Sequence, residues 1–186
     1  MSGKLKLVVG LGNPGPRYAR TRHNAGFRLV ERLAGPQAQW KDFHGLGVVC
    51  EGEGFLVARP MTFMNESGRF VQSLAAYRKF SPAEILVCFD DVALPIGRLR
   101  LRPGGSSGGQ KGMQSIIQML GTSEVPRLRM GIGPVPPGMD AAAFVLGRFT
   151  APEEAALAEA LERAAEAVAL AAGAGLEAAM TRHNAA

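Results

Sequence analysis

Histidine is the side-chain type that titrates near neutral pH without help, and the three in this sequence, His23, His44 and His183, are the first candidates for moving a proton in a reaction. His44 lies in a polar stretch ahead of a hairpin and reads as an exposed residue. His183 repeats the string Thr-Arg-His-Asn of residues 21–24 without flanking similarity, in a tail (173–186) that reads as frayed. His23 is different. It closes the loop that follows the first strand-like run, and Asn24 behind it reads as a helix cap. Such a histidine can serve structure alone, and to act as a base it needs a carboxylate that fixes its tautomer and raises its basicity. Asp90 and Asp91 end another apolar run, so Asp90 is the candidate partner and Asp91 competes with it.

Two glycine strings offer other chemistry. Gly10-Leu11-Gly12-Asn13-Pro14-Gly15 fits the dinucleotide fingerprint letter for letter. That fingerprint needs a helix opening from its last glycine, so that helix amides meet the pyrophosphate. Here Pro16 follows, the helix is delayed to about Asn24, and Glu31 falls inside the helix instead of ending a second strand. Gly105-Ser106-Ser107-Gly108-Gly109 fits a nucleophile elbow, and Asp140 and His183 could complete a triad in the right order. The loop is too long and glycine-rich for a tight elbow, and a loop facing phosphate or ribose is the more natural reading. No metal site is read, because histidines, cysteines and carboxylates all lack ligand spacing.

These groups need elements to hold them. Residues 4–11 read as a strand entering the core, followed by a loop over 12–22 and a helix from about 24 to 33 with Phe27, Val30 and Leu33 on one face. Runs 45–50 and 54–60 read as a hairpin, 67–80 as a helix, 85–89 as a continuous apolar strand, and 96–101 as a strand with arginines on one face. A glycine–serine loop (103–110), a helix (112–120), a strand (127–132) and a proline-rich loop come next. The C-terminal helix, about 152–172, carries Leu157, Leu161, Ala164 and Val168 at helical spacing, proline in its first turn, and Glu153 and Glu154 at the positive end of its dipole. Strands alternating with helices predict one α/β domain over 1–186, three layers deep (α/β/α), around a twisted, mixed, mostly parallel sheet. In open sheets of this kind the site lies beyond the carboxyl ends of the strands. That rule gathers residues 12–23, 60–65, 90–91 and 103–111.

The net charge of +5 hides an asymmetry. Residues 1–148 hold 19 Lys/Arg against 10 Asp/Glu, whereas residues 149–186 hold 2 against 6. Cations cluster at Arg17, Arg20, Arg22 and Arg28, and again at Arg98, Arg100, Arg102 and Lys111. Such a field suits a polyanion, since each phosphate neutralised releases counterions, and it equally describes a soluble basic surface. Cys50 and Cys88 sit in apolar runs and read as a buried, reduced pair. The apolar run Leu7–Leu11 is too short for a signal sequence or a membrane span, so a cytoplasmic protein is expected.

Beyond the site loops, the chain resembles bacterial peptidyl-tRNA hydrolases over nearly its whole length. The resemblance rests on Val9–Gly15, Tyr18, Thr21-Arg22-His23-Asn24-Ala25-Gly26, Arg59–Gly68, Asp90-Asp91, Gly104–Gly112, Arg127–Gly133 and Phe144–Gly147. It implies a cofactor-free, monomeric enzyme that cleaves the ester between peptide and tRNA, and so recycles peptidyl-tRNA released prematurely from ribosomes. It makes His23 the general base, Asp90 the carboxylate stabilising its basic form, and Asn13 the contact near the scissile ester. Asn65 would position peptide or water, Tyr18 and Phe63 would line the substrate site, and Arg98, Arg100, Arg102 and Lys111 would grip tRNA phosphate. Arg127 and Arg129 are weaker candidates for that grip. One departure stands out: many members read Gly-Gly-His-Asn-Gly where this chain has Gly108-Gly109-Gln110-Lys111-Gly112. Lysine donates but cannot accept, so a phosphate- or carbonyl-contacting role is implied for Lys111. Two other readings remain: an RNA-binding relative without catalysis, and a serine hydrolase using Ser107.

Overall fold

The most apolar runs of the sequence become the parallel centre of a single sheet. The computed structural model of the chain describes residues 4–184. Strands β1 (Leu7–Gly10), β4 (Leu56–Pro60), β5 (Ile85–Pro95) and β7 (Arg127–Gly133) run parallel in the order β4-β1-β5-β7. Most of their residues, up to Asp91 in β5, are buried from both faces, which is why they read as largely continuous apolar runs instead of alternating ones. Antiparallel strands finish both edges, β3 (Gly47–Glu51) and β2 (Lys41–Phe43) beside β4, and β6 (Leu99–Arg102) beside β7. The short β2 was not legible in the sequence.

Helices α1 (Ala25–Ala34), α5 (Ala151–Ala174) and α6 (Leu176–His183) cover one face, and α2 (Ser67–Arg78) and α3 (Lys111–Leu120) cover the other. A five-residue helix, α4 (Ala141–Val145), precedes α5. The predicted faces are those observed. Phe27 and Val30 of α1 and Leu157, Leu161, Ala164 and Val168 of α5 are buried, each large apolar side chain contributing about 1.5–3 kcal/mol. At the start of α5, Thr150 and Glu153 form a reciprocal capping box with Pro152 in the first turn.

The glycine string at 10–15 is explained by packing. A Cβ on Gly10 would stand 2.2 Å from the Gly26 carbonyl oxygen, and one on Gly12 would enter the Phe27 ring at 2.7 Å. Helix α1 therefore lies directly on β1 and its loop, and it opens only at Ala25, which removes the helix end that a pyrophosphate would need. Cys50 and Cys88 are both buried and free. They are three strands apart, roughly 14 Å at the usual spacing, too far for a disulfide. Burial pushes both thiols up.

The tail, expected to be frayed, forms a further helix over Leu176–His183. Leu176 and Ala179 of α6 are buried, and so is His183. Beyond it, the Asn184 side chain accepts from the Leu101 N–H (2.7 Å) and donates to the Leu101 carbonyl (3.1 Å). Residues 185 and 186 of the expected tail lie outside the described residues. No helix among the described residues is long and apolar enough to cross a membrane.

Candidate active site

All four predicted segments meet at the carboxyl end of the parallel strands. Asn13, His23, Phe63, Asn65, Asp90 and Lys111 line one cavity of about 580 Å³. A larger hollow, about 910 Å³, lies between α1, the β3–β4 turn and α5, and holds none of the candidate residues.

Strand pleating separates the two aspartates. β5 continues past them to Pro95, with a register irregularity between Asp91 and Pro95, so neither aspartate ends the strand. Alternation turns them to opposite faces. Asp91 accepts from the Arg129 guanidinium and from the Ala93 N–H. Asp90, only 2% exposed, turns instead to the short 3-10 turn at Arg22–Asn24 ahead of α1. Its Oδ2 lies 2.8 Å from His23 Nδ1. Toward a carboxylate, Nδ1 must be the donor, which leaves the Nε2 lone pair with no protein partner among the described residues.

Asn13 is held from two sides. Its Oδ1 accepts from the Met64 N–H at 2.8 Å. An N–H can only donate, so the amide orientation is fixed and Nδ2 is the end left to act as a donor. Asn24 grips the same residue by its main chain, accepting from the Asn13 N–H (2.8 Å) and donating to the Asn13 carbonyl (2.9 Å). The expected helix cap at Asn24 is therefore absent; its side chain, 1% exposed, clasps the neighbouring loop instead.

Gln110 was also missed as a site residue. It caps α3 by accepting from the Met113 N–H (2.7 Å), while its Nε2 lies 3.2 Å from Asp90 Oδ1 and 3.2 Å from the Met64 sulfur. The far wall was missed as well. Ala141, Ala142, Val145 and Leu146, on and just after α4, make it apolar.

The arginines divide into structural ties and free cations. Arg22 donates to the Phe144 carbonyl and to Glu153, with its guanidinium 4.2 Å from the Phe144 ring centre, and Arg28 pairs with Glu154 through two bonds. Burial pushes the Glu153 carboxyl up, but the Thr150 N–H and Arg22 outweigh it and hold it below the usual range. Arg127, 2% exposed, donates to the carbonyls of Val125, Ser106 and Ser123 and so anchors the glycine–serine loop. Burial and neighbouring Arg129 lower its pKa. Arg127, buried, and Arg129, partly exposed but paired with Asp91, are thus already committed to partners within the protein. Arg98, Arg100, Arg102 and Lys111 have no acidic partner among the described residues. The first three lie on β6 and its preceding turn, outside the cavity, and Arg100 and Arg102 stand opposite Arg129 and Arg127 in the ladder. Tyr18 stands beside Phe63, edge to face, with ring centres 6.4 Å apart.

The triad reading fails on geometry. Asp140 caps α4 by accepting from Ala143, His183 is buried at the end of α6, and the Ser107 hydroxyl accepts from Gly109. Among the described residues no cluster of histidine, cysteine and carboxylate could hold a metal.

The sequence profile described as peptidyl-tRNA hydrolase matches residues 7–186. The chain belongs to the peptidyl-tRNA hydrolase family. A peptidyl-tRNA hydrolase of Elusimicrobium minutum is 47% identical over 185 residues, covering 97% of this chain and 99% of that protein. Another, of Chloroflexus aggregans, is 50% identical over 191 residues, covering 96% and 98%. The crystal structure of the peptidyl-tRNA hydrolase from Acinetobacter baumannii superposes with a TM-score of 0.90 at 35% identity, covering 97% of this chain and 95% of that one. Family membership makes the chain an enzyme of the peptidyl-tRNA hydrolase class and accounts for the mixed sheet with helices on both faces.

Proposed function

We propose that this chain hydrolyses the ester between a peptide, or any N-blocked aminoacyl group, and the terminal ribose of tRNA, and so recycles peptidyl-tRNA released prematurely from ribosomes. The observation that carries the reading is the 2.8 Å bond between His23 and Asp90, in a cavity that Asn13 and Asn65 also line. His23 Nε2 takes a proton from water as the water oxygen bonds to the ester carbonyl carbon. Asp90 keeps the proton on Nδ1 and offsets the positive charge of the imidazolium. Negative charge gathers on the carbonyl oxygen, and Asn13 Nδ2 is the donor for it or for the adjoining peptide carbonyl. When the tetrahedral intermediate collapses, the bond to the ribose oxygen breaks and the imidazolium returns the proton to that oxygen. Asn65 orients peptide or water, and Tyr18 and Phe63 border the substrate.

Recognition of tRNA in this reading is electrostatic. Lys111 is the first residue of α3, a cation at the positive end of a helix dipole, and a phosphate relieves that repulsion. Arg98, Arg100 and Arg102 extend the grip along β6 without reading bases. The enzyme works as a cytoplasmic monomer without a cofactor, and sedimentation at working concentration checks the monomer.

One assay tests the whole reading: release of N-acetyl-amino acid from N-acetyl-aminoacyl-tRNA by wild type, His23→Ala and Ser107→Ala. Wild type and Ser107→Ala are expected to be active and His23→Ala to lose at least about a hundredfold. Wild-type protein that binds tRNA without cleaving it would make the chain a binding module. Activity lost only in Ser107→Ala would make it a serine hydrolase.

A further inference from the structure

Asp90 is held by two groups, and only His23 belongs to the proton relay. Its second oxygen, Oδ1, faces Gln110 Nε2 at 3.2 Å. The Gln110 amide cannot flip, because Oε1 is committed to the Met113 N–H at the start of α3. A carboxylate bonded at one oxygen alone can rotate about its Cβ–Cγ bond and tilt away from the imidazole. With both oxygens engaged, its plane is set.

We propose that Gln110 is a positioning residue that clamps Asp90 from the oxygen opposite His23 and so ties the base to the amino-terminal end of α3. The inference rests on the reading of His23 and Asp90 as base and partner. It gives the local sequence a purpose: Gln110 precedes Lys111 and closes the glycine–serine loop, so the segment that meets tRNA phosphate also fixes the catalytic carboxylate. Phosphate bound at Lys111 steadies the α3 terminus, and Gln110 carries that order to Asp90. The other charged groups lining the cavity are Lys111 and Asp91, the latter already paired with Arg129.

The two duties of Gln110 are separable. Gln110→Glu keeps an oxygen for the Met113 N–H, so the cap survives, but it removes the donor to Asp90 and sets a second carboxylate beside it. The readout is kcat, KM and the pH–rate profile on N-acetyl-aminoacyl-tRNA, with a thermal melt to check folding. At neutral pH, Gln110→Glu is expected to lower kcat about tenfold or more, with KM changed less than about twofold because Gln110 acts only through Asp90. The acid limb of its profile is expected to move upward by about half a pH unit or more, as added negative charge favours the imidazolium. The added charge moves the acid limb whether or not Gln110 clamps, so kcat on the plateau above that limb decides: a residue that merely capped α3 would leave it at the wild-type value, and that result overturns the clamp. Gln110→Leu removes the donor without adding charge, and is expected to lower kcat about threefold or more without the upward shift. Full kcat in Gln110→Leu would trace the glutamate effect to charge alone and also overturns the clamp. His23→Ala, run alongside, separates the two readings: activity surviving there sinks the base assignment. Activity lost there but intact in both Gln110 variants sinks the clamp alone.

Discussion

Asn24→Ala tests whether the catalytic loop is held by one asparagine side chain. The substitution strips the buried Asn13 main chain of partners for both its N–H and its carbonyl. Each orphaned buried group costs about 1–3 kcal/mol, so the loss of stability should be about 2–6 kcal/mol. For a chain of this size, roughly 2–4 °C of melting temperature accompanies each kcal/mol, which puts the expected drop at about 4–24 °C. Activity should fall further than folding, because Asn13 is then held only by its Met64 bond and its Nδ2 loses its aim. Urea unfolding followed by circular dichroism gives the first quantity, and kcat/KM on N-acetyl-aminoacyl-tRNA gives the second. The two should behave differently in a double mutant. With Asn13→Ala already present, adding Asn24→Ala should still cost stability but almost no further activity. A single Asn24→Ala variant that is fully active and less than about 1 kcal/mol destabilised would refute the clasp.

Three further perturbations follow from the geometry. Lys111→Asn should reduce the slope of log affinity for tRNA against log salt by about 0.7–0.9, one phosphate contact, while stabilising the free protein by about 0.3–1 kcal/mol through relief of the α3 dipole; filter binding and urea unfolding measure the two. Arg127→Met should free the loop at 103–110, costing about 2 kcal/mol as three carbonyls lose a charged donor, with faster amide exchange over those residues as the readout. Burial, reinforced by Arg182, holds His183 below its usual 6.5, so the folded protein protonates it less readily than the unfolded chain does. Stability from this group is therefore complete above pH 6.5 and lost as pH falls below it, and His183→Phe should flatten unfolding curves in that window. Glu153, held below 4.5, gives up its own contribution only in more acidic solution, so the two effects separate on the pH axis.

What could be read from the sequence was periodic, and what could not was made by contact between distant loops. The buried strands, the faces of α1 and α5 and the four converging loops all leave a repeat or an apolar run in the sequence. The choice between Asp90 and Asp91 needed the sheet, because only the observed register turns one toward His23 and the other onto Arg129. Asn24 sat where a helix cap belongs, and nothing local distinguishes a cap from a clasp on a main chain eleven residues away. The apolar wall came from α4, five residues long and too short to show a helical period. Arg22 and Arg28 added to the apparent polyanion-binding field, yet both are neutralised by the glutamates that open α5. Composition counts charges; it does not show which are already paired.

The bond pair between Asn184 and Leu101 bears on how this molecule avoids its own kind. Strand β6 is one of the two edge strands of the sheet, and an unpaired border of that sort invites the backbone of a neighbouring molecule to extend the ladder. Asn184 takes up both main-chain groups of Leu101 with a side-chain amide, which imitates an adjoining strand but offers no backbone on its other side to continue one. The turn that ends at Asn184 thus occupies this edge at Leu101, and Asn184→Ala is expected to shorten the lag before aggregation on prolonged warming.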